Sequence, residues 1–111
     1  MSIYIAFRIV RNFIRRLDPQ APKVYMLNDQ DWYVAYGPYQ AIAKAMDDTG
    51  MSRSECLPDY SPDEVPVPVS PMELERLIFT DDKDKRPFAE ELDRRISAGV
   101  KFPEMFASTE Y

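Results

Sequence analysis

The lone thiol and the clustered carboxylates are where chemistry would have to start in this chain. Cys56 is the one soft nucleophile, and it follows a helix start at Ser52 to Glu55 whose positive end would favour the thiolate. The sequence holds no histidine, so that thiol has no ready base, and Ser-His dyads, Cys-His dyads and zinc triads are excluded as well. Cys56 therefore reads as a structural residue, and a single unpaired cysteine fits a reducing, cytoplasmic compartment. Two acidic groups come next, Asp29 with Asp31 and Asp81, Asp82 with Asp84. Oxygen ligands so placed could hold Ca²⁺ or Mg²⁺. An EF-hand loop begun at Asp82 would lack its sixth-position glycine, however, and would have Asp93 at its twelfth position, while Lys83, Lys85 and Arg86 compete with any cation. The spacing does not require the paired carboxylates of glycoside chemistry, and Gly37, Gly50 and Gly99 lie too far apart to cradle a phosphate. The expectation is a protein that is not an enzyme and takes no metal and no cofactor.

Binding chemistry is better represented. Trp32, Tyr33, Tyr36 and Tyr39 crowd into one short stretch beside Asp29 and Asp31, and such rings are the side chains that most often anchor interfaces. On a strand Trp32 and Tyr33 point to opposite faces, and a small sheet is not expected to bury both. The first candidate contact face is thus Asp29, Asp31, Trp32, Tyr33 and Tyr36, and the second is Asp81, Asp82 and Asp84. Charge points to the partner. Residues 1–23 carry five basic side chains against Asp18, a net of +4, whereas residues 24–111 carry 9 basic and 18 acidic ones, a net of −9. A body this acidic repels nucleic acid, whose affinity comes chiefly from phosphate neutralisation by Lys and Arg. Its natural partner is a basic protein surface.

These groups must be positioned by the elements the pattern predicts. In residues 1–17, Ile3, Phe7, Val10, Ile14 and Leu17 recur at steps of four and three while Arg8, Arg11 and Arg15 fall elsewhere, which gives a basic amphipathic helix. The alternation of Ile3, Ile5, Phe7 and Ile9 also admits a strand, but only the helical period reaches Leu17. This segment, with Phe7, Arg8, Arg11, Ile14 and Arg15, is the expected oligomer or partner element. Asp18-Pro19 breaks it. Val24 to Leu27 and Trp32 to Tyr36 form a hairpin around Asn28 to Asp31. Gly37-Pro38 opens a helix with Tyr39, Ile42, Ala43 and Met46 on its apolar stripe, capped by Gly50. Val65 to Val69, interrupted by Pro66 and Pro68, is an edge strand or a polyproline-like connection. Ser70-Pro71 starts a short helix, Ile78 to Thr80 is a candidate strand, and Pro87 opens a last helix with Phe88, Leu92 and Ile96 inside and the pairs Glu90–Arg94 and Glu91–Arg95 outside. Phe102, Met105 and Phe106 should dock the tail on the body.

The whole is expected to be a small α+β domain, an antiparallel hairpin or sheet packed by two or three helices. The basic N-terminal segment spans 1–22 and the acidic domain 23–111. At 111 residues, 45% apolar and 30% charged, the chain can build one core and is too apolar to be wholly disordered. Its longest apolar run, Ile3 to Phe7, is too short for a membrane span or a secretory leader, so no integral membrane association is expected.

The stretch Asn28-Asp29-Gln30-Asp31-Trp32, the helix ending in Thr49-Gly50 and the closing Phe102-Pro103 through Phe106-Ala107-Ser108-Thr109-Glu110 resemble small uncharacterised proteins encoded by bacteriophages and prophages, over residues 23–111. That resemblance implies a bacterial host cytoplasm and transfers no catalytic residue. By class analogy it implies an acidic nucleic-acid mimic or a stoichiometric inhibitor of a host defence or nucleic-acid-handling protein. A toxin-immunity protein would look the same, and a self-associating assembly component is the alternative from a different class.

Overall fold

Caps and prolines set the element boundaries. The computed structural model describes residues 2–81 and 84–109. Helix α1 (Ile3–Leu17) starts where the Ser2 hydroxyl accepts the amide of Ile5 at 3.1 Å and ends at Asp18, ahead of Pro19. The helical period thus prevails over strand alternation in this segment. Strands β1 (Lys23–Met26) and β2 (Asp31–Ala35) pair antiparallel with Val24 opposite Val34 and Tyr25 opposite Tyr33. Asn28 builds the turn between them. Its Oδ1 accepts the Gln30 amide at 2.9 Å, and its Nδ2 donates to Asp31 and to the Cys56 carbonyl, each at 3.2 Å.

Helix α2 (Pro38–Thr49) opens on Pro38 and closes on Gly50, whose φ of +71° is the left-handed conformation that glycine adopts without strain. Its buried face is Ala41, Ile42 and Ala45, with Met46 packed against the same core; of the expected stripe Ile42 and Met46 face inward, whereas Ala43 is exposed and Tyr39 is 73% exposed. The alanines let α2 approach β2 and β5 closely, which a tyrosine at the contact would prevent. The short α3 (Arg53–Cys56) carries a complete capping box between Ser52 and Glu55. The proline-interrupted segment after it makes only an isolated bridge between Pro68 and Tyr25, as the missing amide donors require.

Ser70 caps α4 (Pro71–Arg76) by accepting the Glu73 amide at 3.2 Å. Strands β3 (Ile78–Thr80) and β4 (Lys85–Pro87) form a separate small hairpin, and α5 (Phe88–Ser97) follows Pro87 directly. The tail forms β5 (Glu104–Ser108), antiparallel to β2, so the larger sheet runs β1-β2-β5 with β2 in the centre. The tail docks on the body, as its apolar residues predict, and it does so as a strand, with Phe106 2% exposed. The register does shift between Trp32 and Tyr33. The fold is α+β.

The chain divides into two units, and not at residue 22. Residues Met1–Asp18 and Val69–Lys101 form a helical unit containing α1, α4, α5 and the β3–β4 hairpin. Residues Pro19–Pro68 and Phe102–Tyr111 form a sheet unit containing β1, β2, β5, α2 and α3. The N-terminal segment therefore belongs with a later part of the chain, for electrostatic reasons set out below. Tyr25, Leu27, Tyr33, Ile42, Ala45 and Leu57 are central to the core of the sheet unit. Leu74, Phe88, Ala89 and Leu92 are buried in the helical unit.

Candidate functional site

α1 is turned the opposite way from an ordinary amphipathic helix. The stripe through Ile5, Arg8, Asn12 and Arg15 is its more buried side, with Asn12 only 3% exposed. The apolar stripe faces water: Ile3, Phe7, Val10, Ile14 and Leu17 are each between 56% and 73% exposed, and Tyr4 and Phe13, on its two flanks, are 82% and 56% exposed.

Acidic residues on α4 and α5 cause this orientation. Arg8 grips Glu75 with both limbs of its guanidinium, Nε donating to Oε2 at 2.7 Å and Nη2 to Oε1. Both side chains are largely buried, at 15% and 10% exposure, and the hydrogen bonds to Glu75 raise the Arg8 pKa further above its already high value. Arg15 donates to Asp93 at 2.7 Å and to the Asn12 side-chain Oδ1 at 3.0 Å, while Arg11 reaches the other oxygen of Asp93. Once a bidentate pair of this kind is desolvated, breaking it leaves an uncompensated charge. Rotating α1 to bury its apolar stripe would break the buried Arg8–Glu75 pair together with the more exposed contacts of Arg11 and Arg15 to Asp93. Arg8, Arg11 and Arg15 are thus engaged within the chain's own helical unit, whereas Phe7 and Ile14 remain available on the outer side.

A second ionic cluster stiffens the same unit. Glu91 is fully buried and accepts from three arginines: Arg86 Nε at 2.8 Å, Arg94 at 2.8 Å through both nitrogens, and Arg95 Nε at 2.6 Å. Burial alone would raise its carboxyl pKa, but the hydrogen bonds from Arg94, Arg95 and Arg86 outweigh that and hold it at about 2. Phe79 lies under the guanidinium carbons of Arg86 and Arg95, at 5.1 and 5.4 Å from its ring centre. The i,i+4 spacing of Glu91 and Arg95 is as expected, but the pair is internal, not on the exposed side.

The aromatic face expected from sequence is not assembled. Tyr33 is 1% and Trp32 7% exposed, so side chains that point to opposite faces of β2 are both buried. Burial and the neighbouring Asp48, which accepts the Tyr33 hydroxyl at 3.4 Å, push the Tyr33 pKa to about 12. Only Tyr36, at 41% exposure, remains open, edge-on to Phe102. Asp29 is exposed; Asp31 is half-buried and accepts from Ser108 at 2.7 Å. In the second acidic cluster, Asp81 and Asp84 pair with Arg86, and Asp82 lies outside the described residues. Cys56 is 2% exposed, 3.8 Å from the Thr49 hydroxyl.

Among the described residues no group of three or more Cys, Asp or Glu side chains could hold a metal ion, and no helix is long and apolar enough to cross a membrane. An open cleft of about 410 Å³ beside α3 is lined by Ser52, Arg53 and Tyr60 among others, but the Arg53 guanidinium is occupied by the Glu64 carbonyl. Comparison with protein-family models, curated proteins and solved structures found no match. The outward position of Phe13 and Tyr4 was missed from the sequence. One signal for it was present, since Glu75 and Asp93 supply carboxylates for which the α1 arginines compete with water.

Proposed function

We propose that this protein acts by binding rather than by catalysis, and that its contact surface is the outer apolar face of α1. The observation that carries the reading is the inverted helix. Soluble monomers rarely expose a contiguous apolar patch beyond a few hundred Å² unless it meets something, and here the patch is held outward by ion pairs that would be costly to break. A buried thiol in a chain without histidine supports the non-catalytic reading. The test is affinity capture from a bacterial lysate on the full chain and on a Phe7→Glu/Ile14→Glu variant of equal helicity. Retained proteins, or association of the chain with itself in sedimentation, should be lost with the variant; capture and self-association both unchanged would refute the reading.

A second reading has its own support. The sheet unit holds 3 basic and 10 acidic side chains, a net of −7, whereas the helical unit holds 11 and 9, a net of +2. With Tyr36 and the 73% exposed Tyr39 as anchors, the sheet unit suits a stoichiometric inhibitor that covers a basic surface of a host protein in a bacterial cytoplasm. Charge neutralisation at Asp29 would then slow association at low salt, where steering is least screened.

A further inference from the structure

We infer that the α1 face is covered by a second copy of this chain, α1 lying against α1. The inference rests on the reading that this face is the contact surface, and it names the occupant. Ile3, Phe7, Val10, Ile14 and Leu17 follow one another at intervals of four, three, four and three. That is the 3.5-residue period which keeps a narrow seam aligned between two helices wound about each other. The seam is also nearly symmetric about Val10: Ile3 and Leu17 lie seven residues to either side, with Phe7 three before it and Ile14 four after. Apolar residues therefore face apolar residues when a two-fold axis passes at Val10, as a self-complementary interface requires.

Area and charge agree. The five seam side chains at this exposure leave roughly 600 Å² of α1 in water, and the flanking Tyr4 and Phe13 raise the exposed apolar area toward the ~800 Å² each partner contributes to a standard interface. A helix lying on an anionic lipid surface presents Lys and Arg along its flanks. Here Arg8, Arg11 and Arg15 are instead bound to Glu75 and Asp93. No carboxylate or cation lies at the five seam positions to set like charges against each other. The helix is already ordered by its cap and ion pairs, so association need not supply the ordering entropy.

Sedimentation of the purified full chain through the micromolar range should show a dimer, insensitive to salt because its seam is apolar. Phe7→Glu and, separately, Ile14→Glu should each weaken it about 30-fold or more, as expected of central anchors, with far-UV ellipticity per residue retained. In a Cys56→Ser background, Val10→Cys should oxidise to an interchain disulfide within the dimer, a readout that needs no disruptive substitution. A monomer at every concentration, with no Val10→Cys cross-link, overturns the second copy. If that monomer still binds neutral phosphatidylcholine vesicles or a lysate protein through Phe7, the contact face stands without this occupant. A dimer unaffected by both glutamates and not cross-linked at Val10 refutes the face and the occupant together.

Discussion

Glu91 concentrates more electrostatic consequence than any other described side chain. Its carboxyl titrates near 4.5 when free and at about 2 in the fold. A depressed carboxyl stabilises the folded state fully above its unfolded value, and that stability is lost as pH falls toward the folded one. The window is therefore pH 4.5 down to about 2, and the amount is on the order of 3 kcal/mol. Urea unfolding followed across this window should show the midpoint falling, and Glu91→Gln should flatten that dependence while costing about 3 kcal/mol or more at pH 7, because Arg86 and Arg95 are left facing a neutral amide. Cys56 makes the contrasting case. Buried against Thr49 with no base near it, it should react with a thiol reagent only as fast as the sheet unit opens, and Cys56→Ala should keep fold and binding. Faster labelling in the folded state would contradict the burial.

At the scale of the element, short helices depend on their ends. α4 spans only six residues and is held by the Ser70 cap, yet it carries Glu75, the anchor of Arg8. Ser70→Ala should cost about 1 kcal/mol in thermal or chemical unfolding and should also loosen α1, visible as faster amide exchange along Ile3–Leu17. Unchanged protection there would show that Glu75 stays in place without the cap. Caps, prolines and glycines were the legible part of this fold: Ser52, Ser70, Pro38, Gly50 and Gly99 mark boundaries through local backbone chemistry that does not depend on the rest of the chain. Facing was legible only where one energy dominates. Periodicity finds the apolar stripe of α1 but cannot reveal that desolvated arginine–carboxylate pairs orient it, since Glu75 and Asp93 are far away in sequence. The same holds for Tyr33, which is buried in a cluster with Ile42, Ala45 and Leu57 from later parts of the chain.

Across the whole molecule, paired strands and salt-linked helices predict unequal protection. β2 is hydrogen-bonded on both edges, to β1 and to β5, whereas β3 and β4 pair only with each other over three residues. Amides of β2 should exchange slowest and those of Ile78–Thr80 among the fastest in any strand. Equal rates in the two sheets would mean that opening is global throughout. The division into units also separates charge, −7 from +2, so the two parts of one small chain differ in the salts and surfaces they tolerate.

Trp32 is the sole tryptophan of the chain, and it sits on the central strand of the sheet unit at 7% exposure. Its emission colour therefore reports wetting at the central strand of that unit. Most helical residues lie in the other unit, where α1 alone contributes 15, so circular dichroism weights the unit that does not hold the tryptophan. Superimposable melts from the two optical signals would mark one cooperative transition, and a gap between them would measure how independently the halves of this chain come apart.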